Sequence, residues 1–322
     1  MLSRLSGEKD APPVVGGVAL GGPSMVEIDV AALARSWTAA AGARLIMLCG
    51  SLALAGCATA PMTQSGSLAS YQTLSESNGV LAKSLLSVDK DKVLAAQTVR
   101  IMPTSFSEEV AAGLSEPQRR LVANAVDRAL CFNLSERFTV VPFNERADLT
   151  TRTFVTQATV TNPVAAGASK VVSAVPGALG VPVPVPRLPI GLGSLSVEAE
   201  ALDRKGRQQA AMVWARGANS FTNSPVLSPA GDAYDLAGSF SADFGQMLVT
   251  GETPFGKAPK LPSIERIGSA LGGKPKNPAC ESFGRDPGLL GMVANRLGAP
   301  PEWVDKGAPA QDAQASTQVA KR

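Results

Sequence analysis

The feature that most constrains the fold is a strand, an amphipathic helix and a second strand in direct succession. Residues 98–102 alternate like a strand that ends at Pro103. The capping box Ser115-Glu116-Pro117-Gln118 predicts the start of the helix. Residues 138–141 form the second strand. Apolar residues recur between them at helical spacing: Leu121, Val122, Ala125, Ala129 and Leu130. Because a helix connects the two strands, we expect them to be parallel, with a right-handed crossover.

Further elements follow this unit along the chain. Residues 149–161 are rich in β-branched side chains and predict a long strand, whose six threonines favour one solvated face. Residues 195–201 alternate, and the turn Asp203-Arg204-Lys205-Gly206 returns the chain into residues 210–216 as a hairpin. A second helix over residues 232–248 carries one apolar stripe: Leu236, Phe240, Phe244 and Leu248.

Together these elements predict the fold class α/β (α+β). We expect a small mixed sheet of about five strands with two packing helices, in the order β-α-β-β-β-β-α, followed by an irregular C-terminal extension. The α/β domain spans residues 68–250, although residues 68–95 have no clear secondary structure. Residues 162–193 form a Pro-rich insertion. Its alternating prolines, Pro182 to Pro189, indicate polyproline II chain that either crosses the sheet edge or serves as a docking segment.

The clearest localisation signal of the chain lies at residues 44–57. A short apolar run follows Arg44 and ends in Leu54-Ala55-Gly56-Cys57. The run is too short for a membrane-spanning helix and has the length of a secretory signal. Its last four residues resemble the lipobox of bacterial lipoproteins, which implies cleavage between Gly56 and Cys57 and lipidation of Cys57. Since Ala58 stands where an Asp would retain such a protein in the inner membrane, the resemblance implies the outer membrane.

This signal divides the N-terminal part of the chain. Residues 1–56 are the leader and lipoprotein signal peptide, and residues 57–67 are a lipidated tether of small and polar residues. The leader carries acidic residues where a signal peptide is usually short and basic. Two interpretations stay open: translation begins at Met25 or later, so that residues 1–24 are not translated, or the leader is long.

The composition removes many kinds of chemistry. The chain of 322 residues contains no His, which excludes His-dependent triads, His-ligated zinc and imidazole proton shuttles. The net charge of +3 is too weak and dispersed for a nucleic-acid surface. Ser87-Val88-Asp89-Lys90 has the S-x-x-K spacing, but its companion motifs are absent and we interpret it as chance. Glu198 and Glu200 share one strand face, which suits a solvated face or a glycosidase pair. We expect no catalytic residue, metal or cofactor.

Two cysteines remain after cleavage and lipidation. Cys131 and Cys280 either form a disulfide in an oxidising compartment, or Cys131 is a small buried hydrophobe on its helix. The C-terminal extension covers residues 251–307. It predicts a short helix near residues 263–271 and a second between Asp286 and Gly298. Trp303 should hold the segment by burial. Residues 308–322 are expected to be disordered.

With these motifs in place, the chain resembles the uncharacterised envelope-lipoprotein family called domain of unknown function 3313. The matching segments lie between residues 57 and 250, and they include residues 65–71, the helix at 115–135 and residues 198–206. The family pattern has Phe at the position of Ser67 and Asp at that of Ser70. The resemblance implies a location in the cell envelope and an α/β fold but no activity.

These observations predict a protein anchored in the outer membrane, facing the periplasm, that acts as a non-catalytic binding or assembly factor. Its expected partners are the membrane, through the lipid, and an unidentified envelope protein, with no nucleic acid. Two alternatives stay open. A carboxylate-based cell-wall hydrolase would use Glu198 or Glu200, and a carrier of lipids or small molecules would need a deep apolar cavity.

Overall fold

A computed structural model describes residues 60–106, 113–178, 186–256, 268 and 271–308. In these residues eight strands form one mixed sheet, in the order β1-β2-β8-β7-β6-β3-β5, with β4 added beside β6. The strands are β1 Ser75–Glu76, β2 Lys83–Val88, β3 Thr98–Ile101, β4 Ser105–Phe106, β5 Thr139–Val141, β6 Leu149–Thr159, β7 Ser194–Asp203 and β8 Gln208–Gly217. The predicted fold class is therefore confirmed, although the sheet has more strands than the five expected.

The described residues also contain six α-helices and one 3₁₀ helix. The α-helices are α1 Lys90–Ala95, α2 Glu116–Leu134, α3 Pro163–Ala178, α4 Gly231–Thr250, α5 Gly288–Leu297 and α6 Pro301–Val304, and the 3₁₀ helix is Pro278–Phe283. None of these described helices is long and apolar enough to cross a membrane.

The predicted strand–helix–strand unit is β3, α2 and β5. Strands β3 and β5 are parallel, with Val99 opposite Val140. The predicted capping box is present at the start of α2, where the side-chain oxygen of Gln118 accepts a hydrogen bond from the Ser115 backbone amide at 3.0 Å. The β7–β8 hairpin also forms as predicted, because Gly206 takes the left-handed backbone conformation that its turn requires, with φ 73°.

The main core lies between one face of the sheet and the helices α2 and α4. The predicted stripe Leu236, Phe240, Phe244 and Leu248 is fully buried in it. The Phe240 ring meets the Trp214 ring of β8 edge to face, with centroids 5.7 Å apart. Val197, Ala199 and Ala201 of β7 point toward the same core, so the alternate residues of β7, which include both glutamates, lie on the opposite face of the sheet.

The segment over residues 68–95 supplies two of the additional strands. Strand β2 pairs antiparallel with β8 over Lys83–Val88, and β1 pairs with β2 at the edge. Asp89 then caps α1, since its carboxylate accepts from the Lys92 amide at 3.1 Å. The remaining additional strand, β4, lies beside β6. Strands β1 and β4 have only two residues each, and the β2 sequence Lys-Ser-Leu-Leu-Ser-Val does not alternate strictly between apolar and polar residues, so periodicity did not identify them.

Residues 162–178 contradict the expectation of an extended insertion. The side chain of Asn162 accepts from the amides of Val164 and Ala165 at 3.0 and 3.1 Å. Pro163 takes the first helical position, where its missing N–H costs nothing. The result is the 16-residue helix α3. The prolines at 182 and 184 lie outside the described residues, so the predicted docking segment is described only from residue 186 onward.

Two predictions about exposure are wrong. The threonines of β6 do not form a solvated face, since Thr151, Thr153 and Thr156 are buried. Thr151 and Thr153 lie opposite Ala201 and Ala199 of β7 and therefore share the sheet face that the helices cover. Trp303 does not hold the C-terminal extension by burial, because 71% of its surface is exposed. Polar contacts hold this segment instead: Asp305 receives the Arg128 guanidinium at 2.5 Å.

The predicted helix boundaries in the extension are partly described. Helix α5 ends at Gly298, which takes the left-handed conformation with φ 79°, as the sequence predicts. Asp286 lies just ahead of α5, and its carboxylate accepts from the Gly288 amide at 2.8 Å. Of the helix expected near residues 263–271, only Gly268 and Leu271 are described. The tail after residue 308 lies outside the described residues.

Candidate functional site

Glu198 and Glu200 lie at the centre of the best-defined polar site. Both side chains are fully buried on the sheet face opposite α2 and α4. The prediction that these two glutamates lie on a solvated face of the sheet is therefore wrong. The face is covered by residues 61–71, which run over β6, β7 and β8, and we call this covering segment the N-terminal strap. The sequence predicts an unordered tether over residues 57–67. The contacts of the strap from Pro61 onward contradict that prediction for the second half of this stretch.

The Glu198 carboxylate is the main attachment point of the strap. It accepts hydrogen bonds from the Ser65 amide at 2.9 Å, from the Ser65 hydroxyl at 2.8 Å and from the Tyr71 hydroxyl at 2.8 Å. The Ser67 hydroxyl donates to the same carboxylate. Burial raises the pKa of Tyr71, and the bond to Glu198 and its charge raise this pKa further. Four donors from one short segment therefore converge on one carboxylate.

Glu200 forms the second attachment point. Its Oε2 accepts from the Ala69 amide at 2.8 Å and from the Gln208 side chain at 3.0 Å. Its other oxygen, Oε1, lies 3.3 Å from the Arg152 guanidinium, in an ion pair without an aligned hydrogen bond. Arg152 also stacks over the Phe154 ring, 5.3 Å from its centroid. Both glutamates thus have partners within this chain.

Smaller contacts extend the strap to its first residues. The Ser196 hydroxyl donates to the Pro61 carbonyl at 2.7 Å, and the Thr63 hydroxyl donates to the Gln157 side chain at 3.3 Å. Leu68 is buried against Ala211 and Val213 of β8. The strap therefore has its own small apolar cluster as well as polar attachments, and it is ordered on the sheet from Pro61 onward.

A second polar cluster lies where the C-terminal extension packs on α2 and α4. Arg128 and Tyr234 both contact the Asp305 carboxylate, at 2.5 and 2.6 Å. Burial raises the pKa of Asp305, but the bonds from Arg128 and Tyr234 outweigh it, so this pKa is lowered. Asp235 lies next to this group. Burial, with the charge of Asp232, raises the pKa of Asp235 to about 7 against the opposing effects of Arg187 and Asn295.

Two adjoining clefts open beside this cluster. The larger has a volume of about 270 Å³ and is lined in part by Arg128, Phe132 and Asp286. The smaller, of about 170 Å³, lies between α4 and the helices of the extension. Each is below the 300–1,000 Å³ of a typical small-molecule pocket. Cys280 lines the larger cleft, and the structure joins it to Cys131 in a disulfide with the Cα atoms 5.7 Å apart.

The remaining sites predicted from the sequence are distributed as follows. Cys57, Gly56 and the whole leader lie outside the described residues. Lys90 of the S-x-x-K pattern forms an ion pair with Glu252 at 2.5 Å, and Asp89 caps α1. Both residues thus have structural partners. Within the described part of the chain, no three Cys, Asp or Glu side chains come together in a way suited to a metal ion.

The sequence did not indicate several residues that the structure brings together. The Arg187–Asp232 ion pair is buried at both side chains, with a 2.5 Å contact, and Asp232 also accepts from the Gly193 amide at 2.7 Å. Tyr234 and Asp305 meet across 71 positions of sequence. Such pairs leave no local spacing signal. The strap and the two glutamates are separate segments of the sequence, and nothing in their spacing shows that they meet.

The fold and the strap define a class of protein: a mixed α/β sheet with helices on one face and its own N-terminal segment on the other. The chain belongs to the family described as protein of unknown function DUF3313, whose profile matches residues 63–244, more than half of the chain. The match begins within the strap and ends within α4. It confirms the family that the sequence resembles.

Comparisons with solved structures give weak similarities. A PelC dodecamer from Paraburkholderia phytofirmans matches with 10% identity and a TM-score of 0.31, covering 53% of this chain and 99% of that chain. A Xanthomonas campestris protein of family DUF330 matches with 14% identity and a TM-score of 0.29, covering 48% and 85%. These similarities are too weak to assign an activity. A search of the curated proteins finds no significant match.

Proposed function

We propose that this protein is a lipoprotein anchored in the outer membrane, on the periplasmic side, and that it acts as a non-catalytic binding or assembly factor of the cell envelope. The lipobox-like sequence ending in Cys57 supports the anchor, and Ala58 supports the outer membrane. The observation that carries the proposal is the strap, because it connects the predicted anchor directly to the centre of the sheet.

The strap changes how an anchor at Cys57 would hold the domain. A free tether of about ten residues would allow the domain to move over a root-mean-square distance of roughly 17 Å. With Pro61 already bonded to Ser196, only three residues lie between Pro61 and Cys57, and the four Cα-to-Cα steps between them span at most about 14 Å. An acylated Cys57 would therefore keep the domain close to the bilayer and at a restricted orientation, as a scaffold for a partner requires.

The same site favours a binding role over hydrolysis by the glutamate pair. A glycosidase pair must face a substrate, with one carboxyl protonating the leaving group. Here Glu198 has four donors from the strap, and Glu200 has the Ala69 amide and two side chains of the sheet. A substrate could reach either carboxylate only after the strap detached. Both glutamates therefore hold the strap on the sheet and take no part in hydrolysis.

The anchor is tested by acylation and fractionation of the full chain in a diderm host. Wild type and Cys49→Ser should incorporate a fatty-acid label and sediment with the outer membrane, because Cys49 lies upstream of the predicted cleavage site. Cys57→Ser should lose the label. Ala58→Asp should remain labelled and move to the inner membrane. Labelling that persists in Cys57→Ser, or an unlabelled wild type, would refute the anchor.

The binding role has its own test. Crosslinking of the wild-type chain in intact envelopes, followed by mass spectrometry, should recover a reproducible protein partner. Purified wild type and Glu198→Gln should both fail to release soluble fragments from peptidoglycan. Release by the wild type that is lost in Glu198→Gln would instead establish the hydrolase.

A further inference from the structure

Helix α5 exposes its large apolar side chains and buries its small ones. Leu289, Leu290, Val293 and Leu297 are between 55% and 73% exposed. At 100° per residue they occupy one continuous face, an arc of about 100°. The side that packs on the domain consists of Gly288, Gly291, Ala294 and Asn295, with Asn295 donating to Asp235 at 3.2 Å. This is the reverse of the usual arrangement of a surface helix, whose apolar stripe faces the core.

Helix α3 shows the same reversal. Val164 is 83% exposed and Val171 is 68% exposed, and the two fall on one face at helical spacing. The opposite side buries Ala166 and Ser169, and the Ser169 hydroxyl donates to the Ala165 carbonyl at 2.9 Å. Burial of the small residues Ala166 and Ser169 on the inner side, with the larger valines outside, is difficult to explain by the stability of the domain alone.

The two helices are neighbours. The Lys170 ammonium of α3 donates to the Arg296 carbonyl near the end of α5. Just beyond α5, the Leu227 amide donates to the Gly298 carbonyl at 2.9 Å, and the Leu227 side chain lies against Gly167 of α3. We call the six residues Val164, Val171, Leu289, Leu290, Val293 and Leu297 the apolar helix face. Exposed apolar patches shared by adjacent elements mark interaction sites.

The charges of these helices indicate which surface would cover the face. Lys170 is the only ionisable residue of α3, and Arg296 is the only one of α5. An apolar face whose two helices carry only cations within their own bounds suits the headgroup region of a bilayer that contains anionic lipid. In a symmetric contact with a second copy, the same cations would approach their own equivalents without an acidic partner from either helix.

The position of the strap supports the same surface. Pro61 and Thr63 contact Ser196 and Gln157, near the point where β6 ends and β7 begins. Helix α3 follows β6 after three residues. Helix α4 starts at the same end, where the Asp232 amide donates to Thr161 at 3.0 Å. Tyr234 and Asp235, in its first turn, line the smaller cleft together with α5 residues. The chain leading to Cys57 and both exposed helices therefore lie at one end of the sheet.

We propose that the apolar helix face lies on the phospholipid surface of the membrane. The lipid at Cys57 would attach the domain to the membrane, and α3 and α5 would fix its orientation there. This inference rests on the proposed lipid anchor for its geometry. The helices would lie in the interface with their apolar side chains among the upper acyl groups and with Lys170 and Arg296 near the phosphates.

The test is photocrosslinking of the full, lipidated chain in vesicles of phosphatidylethanolamine and phosphatidylglycerol that carry a diazirine phospholipid. Crosslinks mapped by mass spectrometry should concentrate in peptides from α3 and α5. In the variant Leu290→Glu/Leu297→Glu, lipid crosslinking should fall about tenfold in the α3 peptides as well as in those of α5. The reason is that charges on α5 would lift the whole apolar helix face from the interface. Both positions are largely exposed, and circular dichroism checks that the variant folds.

Phe143→Glu is the matched control, since Phe143 is also exposed but follows Val141, which is level with Thr150 near the start of β6, away from α3. It should crosslink as the wild type does. Intact mass of the same sample reports acylation of Cys57, which separates the two proposals: an unacylated chain refutes the anchor. An acylated chain whose α3 and α5 peptides carry no lipid crosslinks, or crosslink to a second copy instead, overturns the membrane contact alone.

Discussion

Exchange of Glu198 for Gln tests the strap most directly, because the substitution preserves the shape of the side chain. The wild-type carboxylate receives the Ser65 amide, the hydroxyls of Ser65 and Ser67, and the Tyr71 hydroxyl. Glutamine offers one acceptor oxygen and turns an NH₂ group toward donors. The hydroxyl groups can rotate to accept from it, whereas the Ser65 amide can only donate.

The size of the effect follows from the number of bonds that are lost. A hydrogen bond to a charged group contributes roughly 1.5–3 kcal/mol, and a buried donor left without an acceptor costs about 1–3 kcal/mol. If the hydroxyls reorient and one or two bonds are lost, the strap is weakened by about 2–4 kcal/mol. Since each 1.4 kcal/mol is a factor of ten, amide exchange in the strap should accelerate by about 30- to 1,000-fold.

Hydrogen exchange followed by mass spectrometry measures this change locally. We expect faster exchange in residues 61–71 of Glu198→Gln, with little change in the α2 peptides, which lie on the other side of the sheet. Glu145→Gln removes the same charge at an exposed position and should leave the strap unchanged. If the strap of Glu198→Gln exchanges at the wild-type rate, the carboxylate does not hold it and our account of the site is wrong.

Three further changes test the packing of the domain. Replacement of Cys131 and Cys280 by Ser should lower the free energy of unfolding in denaturant by about 2–5 kcal/mol, because the disulfide closes a loop of 149 residues; an unchanged midpoint would argue against the bond. Burial raises the pKa of Asp127 from 3.8 to about 7 against the bonds from Thr104, so the folded state favours the protonated form. Stability from this group is therefore greatest below pH 4 and is lost as the pH rises to 7, and Asp127→Asn should reduce the difference between unfolding curves at pH 5 and pH 8. Arg187→Met should cost about 3–5 kcal/mol by leaving the Asp232 charge buried without its partner, which a thermal melt will show; Arg187→Met/Asp232→Leu should recover part of the loss.

Local pattern was sufficient for much of the fold. The stripe of Phe240 and Phe244 identified its helix because side chains on one face recur every 3.6 residues, whatever they pack against. The turn at Gly206 was recognised because few residues adopt a left-handed backbone. The prediction for residues 162–178 was wrong, although the local signal was present. Asn162 and Pro163 begin a helix there, whereas the prolines further along the chain favoured an extended segment.

The polar site around Glu198 and Glu200 could not be predicted from local pattern. Alternation placed Glu198 and Glu200 on one strand face, but alternation distinguishes two faces without showing what covers either of them. The strap that covers them is about 130 residues away in sequence. The exposed helices show the same limit: the sequence predicted no helix at α3 and predicted α5 from its ends, and only packing showed that their large apolar side chains point outward.

The sequence by itself thus determined the order of the main elements, the parallel pairing of β3 with β5 and the hairpin, and it predicts a signal that ends at Cys57. These depend on contacts between near neighbours or on short motifs. The tertiary structure decided which polar groups are buried, which residues of distant segments meet at Glu198, and which side of each helix the domain leaves exposed. Those properties depend on how layers stack, and contacts between distant segments leave no periodicity in a single chain.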